Sequence, residues 1–231
     1  MKYFINYASN GFFNSQSFGL KSATNFGFKS VGYTDTNLDK DFVTKNIKIL
    51  SNSRGSGYWL WKPYIILDML NKIEDGDYLI YMDSGANLIS DPTKYLEMID
   101  SKGILAFSMV QKTSKWTKGD CFCEINKDNK DDWKDTNQLQ GTYIFFKKCE
   151  FSVSFVERWL SLCEKENLIT DIANINMNNF SDFIDHRHDQ AIFSLLCYNE
   201  GVMNIPQIDQ YCVEHGLGIE RMIVNRHGVR N

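Results

Sequence analysis

Residues 54–85 read RGSGYWLWKPYIILDMLNKIEDGDYLIYMDSG, and this run decides the fold. Pro63 suits the first turn of a helix, where a missing N–H costs no helical hydrogen bond. Ile65, Ile66, Met69, Leu70 and Ile73 then recur at helical spacing on one face. The turn Glu74–Asp77 follows, and Tyr78–Met82 is an unbroken apolar run, as expected of a strand covered on both faces. Its C-terminal end delivers Asp83, Ser84 and Gly85. In open α/β sheets, ligands bind beyond that end of the strands.

Working outward, Tyr3–Ala8 reads as a buried strand broken by the turn residues Ser9, Asn10 and Gly11. A helix over 15–26 and a second strand over 28–35 give the β–α–β order of a parallel sheet. Leu38, Phe42, Val43, Ile47 and Leu50, mostly three or four apart, predict one half-buried helix over 38–50. Further strands are expected at Ile104–Met109 and Thr142–Lys148, and a helix around Ser152–Lys165. Gln111–Gln140 is polar and has no sustained period, so it is expected to be a functional loop or a disordered insert, with Trp116 and Trp133 ordering part of it. The expected architecture is a single α/β, Rossmann-like domain over residues 1–231 with a mixed, mainly parallel central sheet.

Composition narrows the function. With 231 residues, 43% hydrophobic and 23% charged, the chain is long enough for a full core and is neither fibrous nor disordered in composition. A net charge of -4 leaves no basic footprint, which argues against nucleic acid as the partner. No stretch reaches the roughly 18 apolar residues of a spanning helix, and the N-terminus lacks the apolar core of a secretory signal. The expected location is cytoplasmic, compatible with peripheral membrane contact. The six cysteines show no paired CxxC spacing and are expected to be free thiols.

Two groups of residues could carry chemistry. Asp83, at a strand end, could hold a divalent cation against a diphosphate, or could simply open a turn. Arg54 and Lys62 flank the aromatic segment before that strand, placed to neutralise phosphates or to form surface salt bridges. Of Trp59 and Trp61, at least one is expected in the core, while Tyr58 or Trp59 could stack on a base or sugar ring. The second group is DFIDHRHDQAIFSLL, residues 182–196, which crowds Asp185, His186, Arg187, His188, Asp189 and Gln190 at the start of an amphipathic helix. His186 and His188 would face opposite ways on a helix, which disfavours a shared metal. Asp189 could be a helix cap or a catalytic carboxylate.

The segments RGSGYWLWKPYII, DGDYLIYMDSG, KWTKGDCF, QLQGTYIFFK and HRHDQAIFSLL, in that order, resemble a family of GT-A-fold glycosyltransferases. Bacterial surface-polysaccharide enzymes and giant-virus capsid glycosylation enzymes have similar domains. The resemblance implies a GT-A-like fold and transfer of a sugar from a nucleotide-diphosphate donor, a UDP-sugar foremost, to a glycan or lipid-linked acceptor, assisted by Mn2+ or Mg2+. It implies donor binding by Tyr7, Arg54, Gly57, Tyr58, Lys62, Asp83, Ser84 and Gly85. Acceptor binding is expected at Trp116, Lys118, Gly141 and His188. An inverting reaction needs a base, Asp189 first and Asp120 second, whereas in a retaining one Asp189 would orient the acceptor or stabilise an oxocarbenium-like centre. Asp83 stands where the family carries its metal-binding DxD-like carboxylate. The third position of that motif is Gly85 here, so a further ligand is needed, and His227 is the candidate, with His215 behind it. Alternatives are a sugar-1-phosphate nucleotidyltransferase and a catalytically inactive nucleotide- or glycan-binding module.

Overall fold

The computed structural model describes residues 1–9, 11–126, 131–209 and 224–226. Among these the strands are β1 (Lys2–Tyr7), β2 (Lys29–Tyr33), β3 (Tyr78–Met82), β4 (Ala86–Leu88), β5 (Ile104–Lys112), β6 (Asn137–Leu139), β7 (Tyr143–Lys147), β8 (Asn204–Pro206) and β9 (Val224–Arg226). Seven form one sheet in the order β2-β1-β3-β7-β5-β6, with β8 also paired to β5. β1 is parallel to β2 and β3, and β8 is parallel to β5, whereas β7 is antiparallel to both β3 and β5, and β6 to β5. Hence β1, β2, β3, β5 and β8 run one way and β6 and β7 the other. β4 and β9 form a separate antiparallel ribbon.

Alternation along the strands divides the core between the two faces of this sheet. Ile5, Leu79, Tyr81, Ile144 and Phe146 pack on one side, with Ile65, Ile66, Trp159, Ile192 and Phe193 from the Trp61–Lys72, Glu150–Cys163 and His188–Glu200 helices. Phe4, Ile80, Met82, Tyr143 and Phe145 pack on the other, with Ala23 from the Phe13–Asn25 helix and Leu96. Covered on both faces, β3 needs the unbroken apolar run its sequence shows.

Two expectations change. The helix expected over 38–50 is two short ones, Lys40–Lys45 and Ile47–Leu50. Asp39 caps the first by accepting from the Asp41 and Phe42 amides, and the Asn46 side-chain amide bonds back to the Phe42 carbonyl at the break. The 111–140 stretch, expected to be a loop or insert, carries short helices at Thr113–Trp116 and Gly119–Ile125, a 3-10 turn at Asp131–Asp135, and β6. Trp133 anchors it by burial in the core. Each piece is too short to show a period. The cysteines among the described residues are free, as expected, and Cys212 lies outside them.

Candidate active site

Tyr7 closes β1 and Asp83 follows β3, so the C-terminal ends of two parallel neighbours open on one region. Two cavities meet there, one of about 320 Å³ and one of about 470 Å³, and Trp59 and Asp83 line both. Tyr7, Trp61, Ser84 and Gly85 line the larger. Trp61 is buried and stacks on Tyr7 at 4.0 Å, while the Ser84 hydroxyl donates to the Tyr7 carbonyl at 2.5 Å. The N-terminal end of the Phe13–Asn25 helix reaches this cavity through Phe12. A further cavity of about 370 Å³, with Tyr7, Ser9, Ser53 and Ser56 in common, is walled by Asp35, Leu38, Val43, Ile47 and Leu50.

The turn that carries Trp59 is conformationally costly. Gly55, Ser56, Gly57, Tyr58 and Trp59 all have positive φ, between 49° and 95°. The left-handed region is unfavourable for residues with a Cβ, so the two glycines in RGSGYW are what make five such residues in succession tolerable. At Gly57 a Cβ would also meet the Leu50 Cα at 2.6 Å. Gly57 therefore shapes the turn and does not line either main cavity. Tyr58 is buried against the His188 ring, 4.9 Å away.

The smaller cavity is built on a buried ion cluster. Lys62, in the first turn of its helix, extends to Asp189 Oδ2 at 2.7 Å, the Gly141 carbonyl at 2.9 Å and Asp83 Oδ1 at 3.6 Å. Tyr81 donates its hydroxyl to the same Asp83 oxygen. Burial pulls the Lys62 pKa down, but the two carboxylates outweigh it and raise it above the usual lysine value. Asp189 is pushed up to about 6 by burial, against the opposing pull of Lys62 and with help from the Asp83 charge. Neither surface salt bridging for Lys62 nor capping for Asp189 is what the structure shows. Lys62 is 2% exposed, and the helix N-cap is Arg187, without a side-chain cap bond.

Trp116, Gly141 and His188 line the same cavity, with Gln190 beside them. Gly141 falls between β6 and β7, and its N–H donates to Gln190 Oε1 at 3.3 Å. The Arg187 guanidinium lies 4.2 Å from the Trp116 ring centre. His188 is held at φ 45° with Nδ1 2.7 Å from the Ile169 carbonyl, and burial pushes its pKa below 6.5. The His186 and His188 rings are 5.0 Å apart, with His186 committed to the Leu168 carbonyl.

Other expected residues lie elsewhere. Asp120 is fully buried, and its carboxylate accepts from the backbone amides of Ile175, Asn176 and Met177. Burial favours its protonation, but those amides win and hold it low, as for a structural anion. It lines neither cavity, which removes the basis for Asp120 as base. Arg54 lines the smaller cavity rather than the larger, clamped by Asp171 at 3.0 Å and Asp185 at 2.7 Å. Lys118 is buried beyond it, on the Thr170 and Ile172 carbonyls. His227 and His215 fall outside the described residues. Gln190, named in the second group without a role, lines the smaller cavity, and the sequence reading missed Asp171, which no motif marks.

No family model matches the sequence, and no curated protein matches it. Solved structures do. The structure of a glycosyltransferase involved in glycosylation of the major capsid of PBCV-1 aligns over 100% of this chain and 94% of its own, at 9% identity and TM-score 0.52. The galactosyltransferase LgtC, solved with donor and acceptor sugar analogues, aligns over 99% and 87%, at 8% identity and TM-score 0.53. GlyE of Streptococcus pneumoniae TIGR4 aligns over 100% of this chain and 55% of its own, at 12% identity and TM-score 0.54. The chain shares the fold of these structures. Its α/β sheet with mixed strand directions is the GT-A-like arrangement that the motifs suggested. Among the described residues no helix is long and apolar enough to cross a membrane.

Proposed function

We propose that the chain transfers a sugar from a nucleotide-diphosphate sugar, a UDP-sugar foremost, to a hydroxyl of a glycan or lipid-linked acceptor. The observation that carries this reading is the meeting of two cavities at Asp83 and Trp59, beyond the C-terminal ends of β1 and β3. One cavity then takes the donor and the other the acceptor. LgtC, with analogues of both sugars bound, is a protein of similar fold that handles such a pair.

In this reading the diphosphate lies in the larger cavity, facing the N-terminal end of the Phe13–Asn25 helix, where partial positive charge favours an anion. Gly85 leaves the backbone open to close approach. The nucleoside extends toward Tyr7, Asp35 and Leu38 in the adjoining cavity. The acceptor hydroxyl enters beside Trp116 and His188, and Asp189, ionised above about pH 6, takes its proton or steadies the positive charge growing at the anomeric carbon. Lys62 donates to the Gly141 carbonyl, pairs with Asp189 at 2.7 Å and lies 3.6 Å from Asp83, so its charge holds the two carboxylates in place.

The described residues do not by themselves fit a divalent ion. No group of three His, Cys, Asp or Glu side chains there could hold one. Asp83 alone is available, already facing the Tyr81 hydroxyl and Lys62, and no step above depends on a metal. Assistance by Mn2+ or Mg2+ through Asp83 is therefore the part of the proposal that calorimetry with UDP- and GDP-sugars, with and without Mn2+, addresses. Asp83→Ala is expected to abolish the metal-dependent part of donor affinity. Equal affinities of wild type and Asp83→Ala with the metal present would remove Asp83 from the donor site.

A further inference from the structure

Beyond Arg54 lies a cavity of about 400 Å³ that the reaction above does not use. Arg54, Asp185 and His186 line both it and the cavity beside Trp116, so the two adjoin along the Arg54 guanidinium. Lys118, Asn179 and Phe183 line its other side.

The lining charges cancel. Arg54 and Lys118 face Asp171 and Asp185, and burial, with His188 nearby, pushes His186 well below 6.5, leaving it neutral at pH 7. A phosphate would meet two carboxylates and an ammonium ligand two cations, so the walls favour a neutral guest. They also keep hydrogen-bonding capacity in both senses. An ammonium has three donors, and among the described residues Lys118 spends two, on the Thr170 carbonyl at 3.3 Å and the Ile172 carbonyl at 2.8 Å. Asn179 uses its carbonyl oxygen, accepting from the Gly119 amide and from Asn174, and its NH2 donors have no partner among the described residues. Asp171 gives Oδ2 to Arg54, while among the described residues Oδ1 has His188 Nε2 near it, at 3.8 Å. Open donors and acceptors suit hydroxyls, which do both, and the Phe183 ring suits the C–H face of a sugar.

We propose that this cavity binds the second sugar of an oligosaccharide acceptor whose terminal sugar occupies the cavity beside Trp116, so that the chain extends glycans of at least two units. The proposal rests on the glycosyl-transfer reading. Ligand-observed NMR and calorimetry on the full chain test it, with the pairs glucose and maltose, galactose and lactose, mannose and mannobiose, and N-acetylglucosamine and chitobiose. In at least one pair the disaccharide is expected to bind about tenfold tighter, and both Phe183→Ala and the isosteric Asp171→Asn should remove that gain. Pairs that all show equal affinity or no binding, or a gain that survives both substitutions, overturn the proposal. A chain that keeps the disaccharide preference yet binds no nucleotide sugar retains this site and loses the glycosyl-transfer reading.

Discussion

Asp189 sits 2.7 Å from a buried ammonium, yet its pKa rises to about 6, because burial outweighs the ion pair. The consequences for catalysis and stability have opposite signs. A proton acceptor must be ionised, so transfer should climb with pH through about 6. The folded chain holds this proton more tightly than an unfolded one titrating near 3.8, so Asp189 contributes stability fully below that value and loses it as pH rises through about 6. Asp189→Asn is expected to lower transfer by about 100 to 10,000-fold and to flatten the acidic limb of the pH profile. It also strips Lys62 of its nearest carboxylate. Removing one partner of a buried pair costs about 3–5 kcal/mol, and Asp83, still 3.6 Å away, should hold the loss below that. A urea titration therefore accompanies the kinetics, so that rates are compared per folded molecule. Near-normal transfer by folded Asp189→Asn would assign the proton to another group.

At the scale of elements, the turn over 55–59 places Trp59 between the two cavities, and its glycines differ in kind from those in exposed turns. Gly57→Ala puts a Cβ 2.6 Å from the Leu50 Cα at φ 95°, whereas Gly76, at φ 85°, has open space around it. Strain of this kind costs about 1–3 kcal/mol. Gly57→Ala should lie at the top of that range or above and weaken donor binding, while Gly76→Ala should lie at the bottom and leave binding alone. Equal urea midpoints for the two variants would contradict this role for the turn. The same contrast shows what the sequence could reveal. The Trp61–Lys72 helix and β3 were legible because each encodes its own burial in a local pattern. RGSGYW flagged an unusual turn but not which wall its residues form. For Arg54 the sequence leaves phosphate neutralisation and surface salt bridging open, because its partners, Asp171 and Asp185, are remote in sequence and meet it only in the fold, where they form the salt bridges. Asp120 was read as a possible base for the same reason, its three amide partners lying at 175–177.

For the whole molecule, one sheet with apolar packing on both faces fixes the ends of β1 and β3 side by side, and the two cavities that share Trp59 and Asp83 open there. The helices of one face bring Lys62 and Asp189 together at the cavity that Trp116 and His188 line. The most direct test of this account is to incubate the chain with a panel of UDP- and GDP-sugars and oligosaccharide acceptors, measuring the released nucleotide and the mass of the acceptor. The account predicts a nucleoside diphosphate released in step with an acceptor heavier by one sugar, and loss of both in Asp189→Asn. Release of pyrophosphate from a nucleoside triphosphate and a sugar phosphate, or binding of nucleotide sugars with no turnover, would contradict it.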